Sequence, residues 1–128
     1  MRILLDTHVL LWALSAPSRL GKEPRRAIEN PDNEILFSAA SIWEIAIKSA
    51  LKRTDFQIAP DLIAGAAVES GFTELPVRSA AAIQVASLKP YHRDPFDRLL
   101  IAQAITEPAI LFTVDSQLET YSELVRHI

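Results

Sequence analysis

The stretch His92-Arg93-Asp94-Pro95-Phe96-Asp97-Arg98-Leu99-Leu100-Ile101-Ala102-Gln103-Ala104 predicts a helix that begins in an acidic turn. Asp94 is a suitable N-cap, and Pro95 fits the first helical position. Asp97 lies three residues after the cap, and Ile101 and Ala104 follow it on the same side of the helix. The side that should enter the core therefore starts with a carboxylate. A carboxylate against an apolar layer costs free energy unless a cation meets it.

Length and composition indicate a single domain over residues 1–128. Hydrophobic residues make up 49% of the chain and charged residues 23%, which is typical of a globular protein with a real core. The net charge of −3 gives no overall attraction to nucleic acid or to an anionic membrane. A polyanionic substrate would therefore need local Arg and Lys side chains or a bound metal ion. The chain has no cysteine, which excludes disulfides and thiolate metal sites.

The first residues superficially resemble a short signal peptide, but Asp6 and His8 interrupt the apolar part. No apolar run approaches the length of about 20 residues that is needed to span a bilayer. We therefore expect a cytoplasmic protein without membrane association.

Short apolar segments alternate with helical segments along the chain. Strands are predicted at 2–5, 34–38, 72–75 and 109–113, with a last edge strand at 123–127. Helices are predicted at 7–14, 24–30, 39–53, 60–70, 78–88 and 95–106, and one more follows residue 115 as far as 121. This alternation predicts an α/β fold, with a mostly parallel sheet of four to five short strands covered by helices on both faces.

Four carboxylates are predicted to lie at the edge of the sheet where ligands bind in such folds. Asp6 and Asp115 each follow a predicted strand, and Glu44 and Asp97 lie in the first turns of predicted helices. In a parallel sheet these positions share the edge formed by the carboxyl ends of the strands. Four carboxylates there would repel one another unless they were neutralised, and oxygen-rich clusters suit Mg²⁺ or Mn²⁺. Such ions can activate water and stabilise the leaving oxygen of a phosphodiester.

Each acid taken alone also has a purely structural interpretation. Asp6 and Asp115 could be the N-caps of the helices that follow them. Glu44 could close a capping box with Ser41 or pair with Lys48 one turn further on. The joint pattern, rather than any one residue, favours a metal site.

Other chemistries have little support in the sequence. The chain has only three glycines and no glycine-rich phosphate loop, it has no Gly-x-Ser-x-Gly elbow, and its three histidines lack the spacing of a zinc site. A signalling receiver domain would need an aspartate that accepts phosphate after the third strand, and the segment 72–76 offers no aspartate.

Aromatic and basic residues near the acids have two interpretations each. Trp12, Trp43 and Phe96 are predicted to pack in the core rather than to stack on bases. Three cations near the acids could hold backbone phosphates or could be ordinary surface charges: Lys48, Arg93 and Arg98.

Four motifs, in their order and spacing, resemble those of the PIN-domain family and more narrowly of the VapC-type ribonuclease toxins of prokaryotic toxin–antitoxin pairs. The motifs are Leu4-Leu5-Asp6-Thr7, Ser41-Ile42-Trp43-Glu44, the stretch from Asp94 to Ala104, and Thr113-Val114-Asp115. The resemblance implies a PIN-like three-layer α/β/α domain that cleaves RNA with Mg²⁺ or Mn²⁺. It also implies that four acids are both catalytic and metal-binding: Asp6, Glu44, Asp97 and Asp115.

The resemblance also implies substrate-binding roles and partners. Thr7, Arg98 and Thr113 would contact the substrate. An RNA substrate, a small antitoxin and a second copy of the chain would be the partners, with the Ala-rich stretch from Ala59 to Leu88 either as the pairing surface or as ordinary core packing. An alternative function is that of an acid-pocket module that has lost catalysis and acts only through protein contacts.

Overall fold

Five parallel strands form the central sheet in the computed structural model, which describes residues 1–52 and 58–128. The strands are β1 (Arg2–Leu5), β2 (Glu34–Ser38), β3 (Thr73–Leu75), β4 (Ile110–Thr113) and β5 (Val125–His127). They lie in the order β3-β2-β1-β4-β5, and every adjacent pair is parallel. The predicted α/β class is confirmed, and the last predicted strand is indeed at an edge of the sheet.

Six α-helices connect the strands in the described parts of the chain. They are α1 (Thr7–Ser15), α2 (Lys22–Glu29), α3 (Ala39–Ala50), α4 (Pro60–Glu69), α5 (Ser79–Val85) and α6 (Pro95–Thr106). The segment after residue 115 is a 3₁₀ helix, Ser116–Tyr121, rather than an α-helix. Helix α3 ends at Ala50, and the last residue predicted for it, 53, lies outside the described residues. No helix in the described ranges is long and apolar enough to cross a membrane.

Helix α5 ends three residues earlier than the sequence predicts. The guanidinium group of Arg98, on α6, donates to the backbone carbonyls of Val85 and Leu88, at 3.3 and 3.4 Å. It also donates to the carbonyl of Lys89 at 2.9 Å. Arg98 therefore supplies donors to carbonyl groups at and just beyond the end of α5, where helical N–H partners are lacking.

Alternate side chains of the strands enter two separate cores. Ile3 and Leu5 pack with the core that contains residues of α1 and α4, whereas Leu4 packs with the core that contains residues of α6. This alternation follows from the two-residue period of a strand. Because both faces of the sheet are covered, the strands are apolar throughout, and the predicted three-layer arrangement is confirmed.

The strand order reverses beside β1, which is the central strand. From β1 the chain moves outward to β2 and β3 on one side, and it returns on the other side as β4 and β5. The crevice outside the carboxyl ends of β1 and β4 is therefore the topological switch point, where ligands bind in open α/β sheets. Asp6 follows β1 directly, and Asp115 lies two residues after β4.

Candidate acidic active site

Asp6 is a buried acid at the carboxyl end of β1. Its carboxylate accepts hydrogen bonds from the backbone N–H groups of Val9, at 2.8 Å, and Val114, at 3.2 Å, and a further bond from the Thr113 hydroxyl. The residue is 4% exposed, and burial raises the pKa of Asp6 above its usual range despite these donors. Asp6 is thus the N-cap of α1, as one interpretation held, and also an acid for which ionisation is costly.

Asp94 is the cap of α6, as the sequence predicts. Its side chain accepts from the backbone N–H groups of Phe96, at 2.8 Å, and Asp97, at 3.4 Å. Pro95 occupies the first helical position. The cap places Asp97 in the first turn of α6, with its side chain 22% exposed towards the crevice.

Asp97 carries the most informative pKa in the site. The pKa of Asp97 is raised to about 7, mainly by burial and then by the negative charges of Asp94, Asp6 and Glu44. His92 acts in the opposite direction. Asp6 and Glu44, two of the carboxylates predicted to converge with Asp97, are therefore close enough to repel it, which is the condition that a bound cation relieves.

Glu44 is held from two sides on α3, where it is 4% exposed. The Thr7 hydroxyl donates to one carboxylate oxygen at 2.7 Å, and the Lys48 ammonium donates to the other at 2.6 Å. The predicted i,i+4 pair is thus confirmed, whereas the capping box with Ser41 is wrong because Ser38 caps α3. Since α3 begins at Ala39, Glu44 lies in the second turn of the helix rather than in the first.

Asp115 caps the 3₁₀ helix and also faces a histidine. One carboxylate oxygen accepts from the backbone N–H of Gln117 at 2.9 Å, and the other lies 3.0 Å from Nε2 of His92. Nδ1 of His92 accepts from the backbone N–H of Asp94 at 3.0 Å, so Nδ1 carries no hydrogen. His92 is therefore in the tautomer whose Nε2–H donates to Asp115.

His92 is the site residue that the sequence does not predict. Nε2 of His92 lies 3.8 Å from the Asp97 carboxylate, and one ligand atom from each of His92, Asp97 and Asp115 falls within 4.8 Å of the others. The spacing of zinc-binding histidines is the wrong criterion for His92, because His92 orients Asp115, which lies 23 residues away in the sequence. Its place two residues before the cap of the acidic helix is the signal that could have found it.

The three side chains with expected substrate-binding roles each have internal partners. Thr7 and Thr113 are 3% and 0% exposed. The Thr7 hydroxyl holds Glu44, and the Thr113 hydroxyl holds Asp6 while accepting from the backbone N–H of Asp115 at 3.1 Å. The two threonines thus lie among the acids, whereas the guanidinium of Arg98 lies at the end of α5. Contact with substrate stays a prediction for all three.

The three aromatic residues predicted to pack in the core differ in their exposure. Trp12 is partly buried against the apolar core and has the Arg19 guanidinium 4.4 Å from its ring centroid. Trp43, however, is 59% exposed, so its prediction as a core residue is wrong. It packs edge-on against the partly buried Phe96, with ring centroids 5.2 Å apart and an angle of 72° between the ring planes.

The donor set fits a small divalent cation. Asp97 and Asp115 offer carboxylate oxygens that lie within 4.8 Å of one another and of a nitrogen of His92, and carboxylate oxygens are the ligands that Mg²⁺ and Mn²⁺ prefer. Asp6 adds a third carboxylate, close enough to raise the pKa of Asp97, and the pKa of Asp6 is itself raised. A dication would lower both pKa values because it favours the ionised form of each carboxyl group. Glu44 is different, because its charge is already opposed by Lys48.

An α/β sheet with an acidic crevice at its switch point defines a known class of protein. The PIN-domain family model matches residues 3–124, and the chain belongs to the PIN-domain family. Over 119 residues it is 33% identical to Ribonuclease VapC22 of Mycobacterium tuberculosis, an alignment that covers 93% of this chain and 91% of that protein. The resemblance predicted from the four motifs is confirmed.

Two solved structures share the fold. One is VapBC2 from Rickettsia felis bound to a DNA fragment from its promoter, with a TM-score of 0.74 and 15% identity, covering 99% of this chain and 98% of that one. The other is DNA-bound VapBC from Salmonella typhimurium, with a TM-score of 0.68 and 15% identity, covering 100% and 97%. At this identity the two structures support the fold.

Proposed function

We propose that this chain is a Mg²⁺- or Mn²⁺-dependent endoribonuclease that hydrolyses RNA phosphodiester bonds and is the toxin of a toxin–antitoxin pair. The observation that carries the proposal is the position of Asp97, which lies close enough to Asp6 and Glu44 for their charges to raise its pKa and has a ligand atom within 4.8 Å of one from Asp115. Family membership and the 33% identity to a protein named as a ribonuclease support it over the inactive binding module.

The chain's own residues have separable tasks in this proposal. A divalent cation, when bound, supplies positive charge that activates water and stabilises the leaving oxygen. Asp6, Asp97 and Asp115 would hold it. His92 donates to Asp115 and so keeps that carboxylate aimed at the crevice.

The hydroxyl groups around the acids limit how far the carboxylates can rotate. Thr113 donates to Asp6, and Thr7 donates to Glu44, so each of these carboxylates has a fixed donor within the protein. Glu44 also stays paired with Lys48 at 2.6 Å. Glu44 therefore contributes an oriented negative charge at the inner wall of the crevice.

Arg93 is the cation best placed to meet the RNA backbone. Of the three cations near the acids, Lys48 pairs with Glu44, and Arg98 donates to backbone carbonyls. Arg93 is exposed and makes no hydrogen bond or ion pair with any residue in the ranges 1–52 and 58–128. Since the net charge is −3, a local cation of this kind would help to offset repulsion of the phosphates, together with a bound metal ion.

The partners follow from the relatives and from the surface. Both structural neighbours are VapBC complexes, which supports a small antitoxin as the partner of this chain. Within the stretch from Ala59 to Leu88, the exposed side chains of Leu62, Val68 and Ile83 support pairing with a second copy in a homodimer. We place this single domain in the cytoplasm, where its RNA substrate would be.

Cleavage of RNA by the purified chain tests the proposal. We expect single-stranded RNA to be cut in Mg²⁺ or Mn²⁺ and to stay intact in excess EDTA. Asp97→Asn should reduce the cleavage rate by at least about a thousandfold, because a ligand carboxylate is lost while the size of the side chain is kept. The circular dichroism spectrum should be unchanged.

The matched control is Asp94→Asn, since asparagine is also a good N-cap and the variant should keep most of the activity. Cleavage that continues unchanged in EDTA would overturn the metal mechanism. No cleavage under any metal, with a correctly folded protein, would favour the inactive binding module.

A further inference from the structure

An exposed aromatic pair borders the acidic site. Trp43 is the residue before Glu44 on α3, and Phe96 is the residue before Asp97 on α6. Their rings meet edge-on, with centroids 5.2 Å apart. Because successive Cα atoms are only about 3.8 Å apart, both rings start immediately beside acids of the site.

The orientation of Trp43 follows from the helix that carries it. Glu44 and Ile45, the next two residues, are 4% and 0% exposed, so they occupy the inner side of α3. A helix turns by about 100° per residue, which directs Trp43 away from that side. The edge-on contact with Phe96 fixes the indole, and yet 59% of the residue remains exposed. The indole is therefore both oriented in advance and accessible.

The chemistry of the surroundings restricts what could cover this ring. A nucleobase is uncharged and has an aromatic face, so it can lie beside the carboxylates without charge repulsion, whereas the phosphates of the same strand need a nearby cation. Bases of single-stranded RNA stack on Trp, Tyr and Phe side chains, and this stacking depends little on sequence. Arg93, three residues before Phe96 and exposed, supplies a cation for the backbone of the same strand.

We propose that Trp43, held by Phe96, is a stacking surface for a base next to the scissile phosphate of single-stranded RNA. This inference rests on the proposed ribonuclease function and adds to it a residue that positions the strand. The ring binds one base, the acids face the neighbouring phosphate, and Arg93 contacts the backbone beyond it.

Tryptophan fluorescence can report this contact directly. The chain has two tryptophans, so Trp12→Phe leaves Trp43 as the single indole. We would add Asp97→Asn to prevent cleavage and titrate the double variant with poly(A). Stacking should quench the indole emission. Inorganic polyphosphate, which carries negative charge but no bases, should leave the emission unchanged.

Binding affinity gives a second and independent measurement. In the Asp97→Asn background, Trp43→Ala should weaken poly(A) binding about tenfold, the effect typical of losing one base–aromatic stack. Trp43→Phe should recover most of that loss, because it keeps an aromatic face. Leu51→Ala, which truncates a similarly exposed apolar side chain just after the end of α3 and outside the stretch from Ala59 to Leu88, should bind poly(A) as the parent does.

Three results would overturn the inference. Unchanged indole emission with poly(A) would do so, and so would equal poly(A) affinity with and without Trp43→Ala. A change from dimer to monomer in sedimentation velocity on Trp43→Ala, with poly(A) affinity lost only through that change, would instead assign the ring to pairing between copies. In each case, RNA cleavage by the parent would leave the proposed function intact. If the parent cut no RNA, the proposed ribonuclease function would be wrong whatever the stacking experiments showed.

Discussion

Both ends of the sheet carry acidic residues, but the surroundings of these acids differ between the two ends. At the amino end, Glu107 and Glu34 meet the guanidinium of Arg2 at 2.8 and 3.5 Å. The hydrogen bond to Glu107 raises the pKa of Arg2, which keeps that cation charged. At the carboxyl end, Asp6 is buried and Asp97 is partly buried, and both have raised pKa values. Within residues 1–52 and 58–128, no guanidinium or ammonium group forms a hydrogen bond or an ion pair with either carboxylate.

The difference separates acids that hold the fold together from acids that prepare a site. Matched charges at the amino end connect the starts of β1 and β2 to the segment before β4. Unmatched charges at the carboxyl end cost stability, which is a common property of functional sites. The acids at the carboxyl end are therefore the ones to which a cation would be drawn, and that cation would offset their repulsion of a phosphate.

The largest expected effect is the difference in RNA cleavage rate between two variants, each of which removes one acid from one end of the sheet. Asp6→Asn should lower the RNA cleavage rate by about a thousandfold or more, because a ligand oxygen is lost, while asparagine still caps α1. Glu107→Gln should leave the cleavage rate within about twofold. It should change the free energy of unfolding by about 1 kcal/mol or less, since the pair is partly exposed.

Single-turnover cleavage and urea denaturation of both variants measure the two effects. If Glu107→Gln lost activity to the same extent as Asp6→Asn, the contrast between the two ends of the sheet would be wrong.

The second effect is the pH dependence of stability in EDTA. Asp97 has an ordinary pKa of 3.8 and a pKa of about 7 in the folded chain, so between these values the folded state holds a proton that the unfolded state has released. The stability from this group is complete below about pH 4 and is lost as the pH rises to about 7. Asp6 acts in the same direction, because its pKa is also raised.

Thermal unfolding in EDTA between these pH values checks this expectation. The Tm of the parent should fall as the pH rises, and Asp97→Asn should flatten the dependence. Mn²⁺ affinity should increase over the same range because the cation displaces protons. A Tm that rose steadily towards pH 7 in EDTA would contradict the raised pKa of Asp97.

The smallest effect concerns His92, which acts on Asp115 rather than on the substrate. His92→Ala should weaken Mn²⁺ binding and lower the cleavage rate about tenfold, since residues that orient metal ligands typically contribute this much. His92→Gln places an amide N–H near the position of Nε2 and should restore part of the loss. Isothermal titration with Mn²⁺ would measure the loss of affinity. Equal affinities for the parent and His92→Ala would show that His92 does not support the metal site.

The sequence by itself determined the alternation of strands and helices, the cap at Asp94 and the positions of the four acids along the chain. These features depend on local rules: the two-residue period of buried strands, the preference of Asp for N-caps, and the gathering of parallel strand ends at one edge. They were sufficient to predict the fold and the edge of the sheet at which the acids lie, whereas the set of metal-binding acids stays a prediction.

Only the tertiary structure decided what surrounds those acids. The contact of His92 with Asp115 joins residues 23 positions apart, and the contact of Thr7 with Glu44 joins residues 37 positions apart. The same packing directs Arg98 to backbone carbonyls and leaves Trp43 exposed. Burial, hydrogen bonding and pKa depend on which side chains approach through space, and local patterns in a sequence do not contain that information.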